Sequence, residues 1–163
     1  MGTLQIEATR FGSIAVPEDT IIHMPKPVLG FERITRYVLL QPNEISPFVW
    51  LQAVNQPDLA FLLVNPTLFF ADYRIEINRR EVEDIELDDS ADADVLAIVT
   101  VTANPDDMTV NLQGPIVINT RARKAKQLVL SSAEWSVTER LFKTKPEDEG
   151  VSKERHVAMA QSV

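Results

Sequence analysis

The chain has no cysteine. Disulfides, thiolate zinc sites, iron–sulfur clusters and cysteine nucleophiles are thereby excluded together. Histidine is almost as scarce: His23 and His156 are the two imidazoles, which leaves little scope for a metal site built on several histidines. Five glycines occur in the whole chain, none closely spaced. Neither a P-loop nor a dinucleotide fingerprint can be written with them. No G-x-S-x-G elbow is present, so a nucleophilic serine of that kind is not expected. No apolar run is long enough to cross a bilayer. The first residues lack a basic stretch followed by an apolar one, and Ile6 stands where a myristoylation signal needs Ser or Thr. A soluble protein of a reducing compartment, the cytoplasm, is expected, with no cofactor, no metal and no membrane contact.

What is present is an ordinary globular composition with one anomaly. The 163 residues, 45% hydrophobic and 25% charged, suit a single domain with a real core. The net charge is −8. One segment accounts for it: Glu81, Glu83, Asp84, Glu86, Asp88, Asp89, Asp92 and Asp94 contain no base among them, while elsewhere acids and bases balance. Such a patch repels phosphate backbones and attracts basic protein surfaces. Direct nucleic-acid binding is therefore not expected.

Hydrophobic periodicity reads mainly as short strands. Leu4, Ile6 and Ala8 alternate with polar residues, and Phe11-Gly12 turns the chain into Ser13–Val16. Further strands are expected at Thr20–Met24, Tyr37–Leu40, Pro47–Val54, Ala60–Val64, Tyr73–Ile77, Val95–Thr102, Met108–Leu112, Pro115–Asn119 and Gln127–Leu130. The near-continuous apolar run from Val95 predicts burial on both faces. One helix is predicted over 79–87, with Asn78 as N-cap and Glu81 completing a capping box. Residues 88–94 read as an exposed acidic loop. Many closely spaced strands and one or two short helices predict a mainly β fold, a compact antiparallel barrel-like domain over 1–142. The charged, breaker-rich stretch 143–163 reads as a tail, either a short helix or disordered.

The residue types that carry chemistry do not converge. Asp88, Ser90 and Asp92 fit the start of an EF-hand frame, but Ala93 and Val99 stand where Gly and the bidentate Glu belong. Paired carboxylates such as Glu44 and Asp58 keep a small hydrolase open as an alternative. The basic run Arg121, Arg123, Lys124, Lys126 reads as an exposed connection, without aromatics for base stacking. The aromatic pairs Phe48/Trp50 and Phe69/Phe70 read mostly as core. If Phe69-Phe70 is strand, one ring must face outward, as an interface anchor would.

Several stretches form a joint pattern: Phe11–Ile14, Ile21–Pro25 with Gly30–Glu32, Tyr37–Leu40, Pro47–Gln52, Pro57–Phe61, Ile98–Val101 and Met108–Asn119. In this order, across roughly residues 4–135, they resemble the flagellar assembly factor FliW family. Pro27 and Leu29 depart from the family's usual residues in their loop. The resemblance implies a barrel-like fold without catalysis. It implies two protein partners, the RNA-binding translational regulator CsrA, which it would antagonise, and flagellin. A flagellin chaperone that leaves CsrA alone is the nearer alternative. Glu81, Glu83, Asp84, Glu86, Asp88 and Asp89 are the candidate contact residues, with Phe70, Met108 and Asn111 as further surface candidates.

Overall fold

The structure is a computed structural model that describes residues 2–41, 44–131 and 134–142. The tail expected over 143–163 lies outside the described residues. Among the described residues ten strands form, in chain order β1 (Thr3–Thr9), β2 (Gly12–Pro17), β3 (Ile22–His23), β4 (Arg36–Leu40), β5 (Phe48–Ala53), β6 (Ala60–Val64), β7 (Ala93–Thr100), β8 (Thr109–Asn119), β9 (Lys124–Gln127) and β10 (Glu139–Arg140). Strands β3 to β9 close into a seven-strand barrel. Neighbours pair antiparallel throughout, except for the seam. There β3 meets β9 in parallel at His23 and Lys124, and the His23 N–H donates to the Arg123 carbonyl at 2.9 Å. Closure removes the open edges that an isolated sheet would expose.

The register shows which residues face inward. Ile22, Tyr37, Ala53, Leu51, Leu63, Ile116, Ile118 and Ala125 come from six of the seven strands and form one cluster, with Ile98 of β7 packed against it. A set to which every strand contributes can only be the barrel interior. The outer faces are also covered, in three patches. The β1–β2 hairpin lies over Val38 and Leu40 of β4. A loop carrying Phe69, Phe70 and Tyr73, together with Trp135, Leu141 and Phe142, covers Trp50, Leu62, Val99, Val110 and Leu112. The segment Ile75–Leu87 covers Val117 and Leu128. Double coverage explains the near-continuous apolar runs, which a one-sided antiparallel sheet would not need.

The barrel expected from the alternating pattern is present, but several elements differ in detail. The helix over 79–87 is a 3₁₀ turn, Arg79–Ile85. Tyr73–Ile77 alternates in burial but joins no ladder. The two strands expected around Gln113-Gly114 are the single strand β8. It carries Leu112–Pro115 as a bulge where β7 has only Ala97, since Leu96 faces Ile116 and Ile98 faces Asn111. At this bulge β8 changes its second partner, from β10 to β9. The last expected strand is β9, a few residues earlier, although the Leu128 and Leu130 N–H groups still donate to Pro115 and Gln113 at 2.8 Å. Phe69 and Phe70 follow a 3₁₀ turn at Pro66–Leu68, so both rings reach the core and neither is forced outward.

Candidate functional site

The acidic segment is built as a flap on the barrel wall. Asn78 starts it: its Oδ1 accepts from the Arg80 N–H at 3.0 Å, and the Glu81 N–H donates to the Asn78 carbonyl at 2.9 Å. Val82 and Ile85, three apart, turn inward, and Leu87 follows them. Glu86 ends the turn in the left-handed region at φ 58°. The Leu87 N–H then reaches back to the Val82 carbonyl at 3.2 Å, as in a Schellman closure. Asp89 begins a second short turn, accepting from the Ala91 N–H at 2.9 Å.

The barrel holds this flap through the end of β8, the turn after it and β9. Asn119 is fully buried and uses all of its capacity. Its Nδ2 donates to the Ile85 and Glu86 carbonyls at 2.9 and 3.0 Å, and its Oδ1 accepts from the Arg121 and Ala122 N–H groups at 3.0 and 3.1 Å. Lys126, 9% exposed, donates to the Glu81 carbonyl and to both carboxylate oxygens of Asp84 at 3.2 Å. Lys26 approaches the same Asp84 at 3.6 Å. Lys124 pairs with Glu86, and Arg121 with Asp92 at 3.3 Å. The Lys124 hydrogen bond, followed by its charge, holds the Glu86 carboxyl below the ordinary glutamate range; desolvation opposes this, and the charge of Arg121 adds the least.

The segment is therefore only partly uncompensated. Asp84, Glu86 and Asp92 are neutralised by Lys26, Lys126, Lys124 and Arg121. The basic run is the counterpart of the acidic one rather than a free connection. Glu81, Glu83, Asp88 and Asp94 point outward, and their carboxylates make no hydrogen bond or ion pair among the described residues. Asp89 is exposed too, with one oxygen used as a cap. Beside them lies a notch of about 270 Å³. Its floor is Ile77, Val82 and Leu87, and its rim includes Arg79, Asp88, Asp89 and Ser90. An apolar floor inside an acidic rim suits a protein partner that offers a greasy side chain flanked by bases.

The other sequence candidates lie elsewhere, and two are not on the surface. Phe70 and Met108 are 7% and 5% exposed. Phe70 packs edge-on to Trp135 with centroids 6.2 Å apart, and the Met108 carbonyl accepts from the Leu141 N–H. Asn111 is half-buried and shapes the β8 bulge, its Oδ1 accepting from the Gln113 and Gly114 N–H groups at 3.1 and 2.8 Å. Glu44 and Asp58 occupy exposed positions and line neither described cleft. Residue spacing alone did not reveal Asn119, Lys26 or Lys126 as the clamp. The opposite signs of the runs 81–94 and 121–126 were the available signal.

Fold and site together define a class: a small closed β-barrel whose outer wall carries a clamped acidic flap beside a small apolar notch. The model of the FliW protein family matches residues 5–141. The flagellar assembly factor FliW of Geobacter sulfurreducens is 40% identical over 139 residues, covering 85% of this chain and 87% of that one. That of Alkaliphilus metalliredigens is 41% identical over 128 residues, covering 78% and 79%. A crystal structure of the flagellar assembly factor FliW superposes with a TM-score of 0.80 at 35% identity, covering 86% of this chain and 99% of that one. The chain belongs to the FliW family.

Proposed function

We propose that this chain is a non-catalytic, cytoplasmic protein-binding regulator of flagellar assembly that holds a CsrA-type RNA-binding regulator and flagellin by turns. The single observation that carries this reading is the flap: exposed carboxylates held rigidly around an apolar notch. Exposed charge pairs are individually weak, about 0–1 kcal/mol, so affinity must come from apolar anchoring. The charges act differently. Docked beside the basic surface through which CsrA takes RNA, they lower the local potential and disfavour incoming phosphates without occupying the RNA site. Flagellin, bound in competition, would release the regulator.

The test reverses the outward acids that serve no fold contact, Glu81→Lys, Glu83→Lys, Asp88→Lys and Asp94→Lys together, and reads RNA displacement from CsrA. Association should slow about tenfold at low ionic strength and RNA displacement should weaken. Undiminished displacement would remove the flap from the mechanism. Flagellin binding by the parent chain with RNA binding to CsrA unchanged would instead support a flagellin chaperone.

A further inference from the structure

Between the aromatic loop and the flap, residues 73–77 belong to no helix or ladder. Burial alternates: Tyr73 is buried, Arg74 exposed, Ile75 half-buried, Glu76 exposed and Ile77 half-buried. Among the described residues, the backbone N–H and C=O groups of Ile75, Glu76 and Ile77 form no hydrogen bond within the chain. Every strand among the described residues pairs with at least one other, and this stretch pairs with none. Along this edge lies a cleft of about 690 Å³, with Leu130, Ser131 and Trp135 on its opposite wall. That volume is typical of ligand sites.

We propose that this cleft takes an extended basic peptide, which adds to the edge at Arg74–Asn78 as an extra strand. The backbone of Ile75–Ile77 supplies unpaired donors and acceptors, the requirement for strand addition. Ile75, Ile77, Leu130 and Trp135 supply an apolar wall for alternate side chains of the peptide. The charge at the edge selects the occupant. Glu76 and Glu81 line the cleft without an ion pair among the described residues. The one base there, Arg74, turns back to donate to the Ala71 and Tyr73 carbonyls at 3.1 and 2.8 Å. Two copies pairing antiparallel about Glu76 would set carboxylate against carboxylate, which disfavours self-association. A lysine or arginine in that place is attracted instead. The proposal does not depend on CsrA or flagellin, and its cleft adjoins the notch, with Ile77 lining both.

The test titrates the full chain with a fluorescein-labelled decapeptide of alternating lysine and valine. Controls are the same peptide N-methylated at alternate amides and an alternating glutamate–valine peptide. The lysine peptide should bind and slow amide exchange at Ile75–Ile77 about tenfold or more, while both controls bind at least about tenfold more weakly. Glu76→Lys should weaken the lysine peptide about threefold to tenfold, as a cross-strand attraction becomes a repulsion. Equal binding of the N-methylated peptide would overturn strand addition, because only charge would then be at work. Exchange at 75–77 already slow in the peptide-free monomer would overturn it too, since the chain itself would fill the cleft. So would protection that rises with protein concentration alone.

Discussion

Asn119 shows how much one buried carboxamide can organise. It fixes the flap through the Ile85 and Glu86 carbonyls and the turn through two N–H groups. Its role could not be read from sequence, where it was simply the end of an apolar strand. Satisfying buried carbonyls is a matter of which segment the barrel wall meets, and that is a long-range fact. Glu86 is the residue whose titration reports the clamp. Its folded-state pKa lies below the ordinary value, so its favourable contribution is fully present above the ordinary carboxylate range. It is lost as pH falls through the lowered value. A carboxyl-resolved NMR titration should place the Glu86 midpoint below that of a free glutamate. Lys124→Gln should move it back up, because the first and second causes of the shift both belong to Lys124. A midpoint unmoved by that change would mean the pair does not form in solution.

Among the elements, β8 is the one that organises the others. It serves β7 along its length and hands its far side from β10 to β9 at the bulge. The bulge is stabilised by side chains rather than by a left-handed glycine. Asn111 holds its N–H groups, and Gln127 Nε2 donates to the Gly114 carbonyl at 3.0 Å while Gln127 Oε1 accepts from the Leu29 N–H at 3.2 Å. A Cβ on Gly114 would meet Gln127 Nε2 at 2.8 Å and Asn111 Nδ2 at 2.9 Å. Both are ends of flexible side chains, so the cost of Gly114→Ala is the bonds they give up, about 1–2 kcal/mol. The urea midpoint should fall by that free energy divided by the denaturant slope, with the slope itself unchanged. No change would show that the bulge does not need the Gln127 bridge. Gly114 was legible as a break, and a break between strands was the natural reading. Only the opposing strand shows that pairing resumes on the same neighbour, which makes the break a bulge. The 79–87 helix failed for a related reason. Its cap and apolar spacing suit either helix type, and the left-handed Glu86 with the Asn119 bonds ends it after about two tight turns.

For the molecule as a whole, the balance of charge decides behaviour toward partners. The chain carries −8, yet the four bases of the clamp return part of that charge to the flap itself. Under the proposed function, what would steer a basic partner is the remainder, displayed on the barrel wall. On the proposed function, screening over a Debye length of about 8 Å at physiological salt should therefore slow association with the CsrA-type partner steeply. The logarithm of the association rate should fall with rising ionic strength in the parent chain and stay nearly flat when Glu81, Glu83, Asp88 and Asp94 are reversed. Parallel slopes in stopped-flow measurements would mean that other charges do the steering.

The sequence by itself determined the mainly β class, the absence of cysteine chemistry, the location of the charge and the family pattern. Each of these is written in composition or in short-range alternation, which local sterics and burial translate directly into strands. The tertiary structure alone decided which apolar faces are covered twice, which acids are neutralised and which stretch is left without a partner. Those outcomes depend on residues far apart in the chain, such as Lys126 and Asp84, meeting across a closed wall. Nothing local in either segment records that meeting, because the energy that selects it belongs to the packed barrel as a whole.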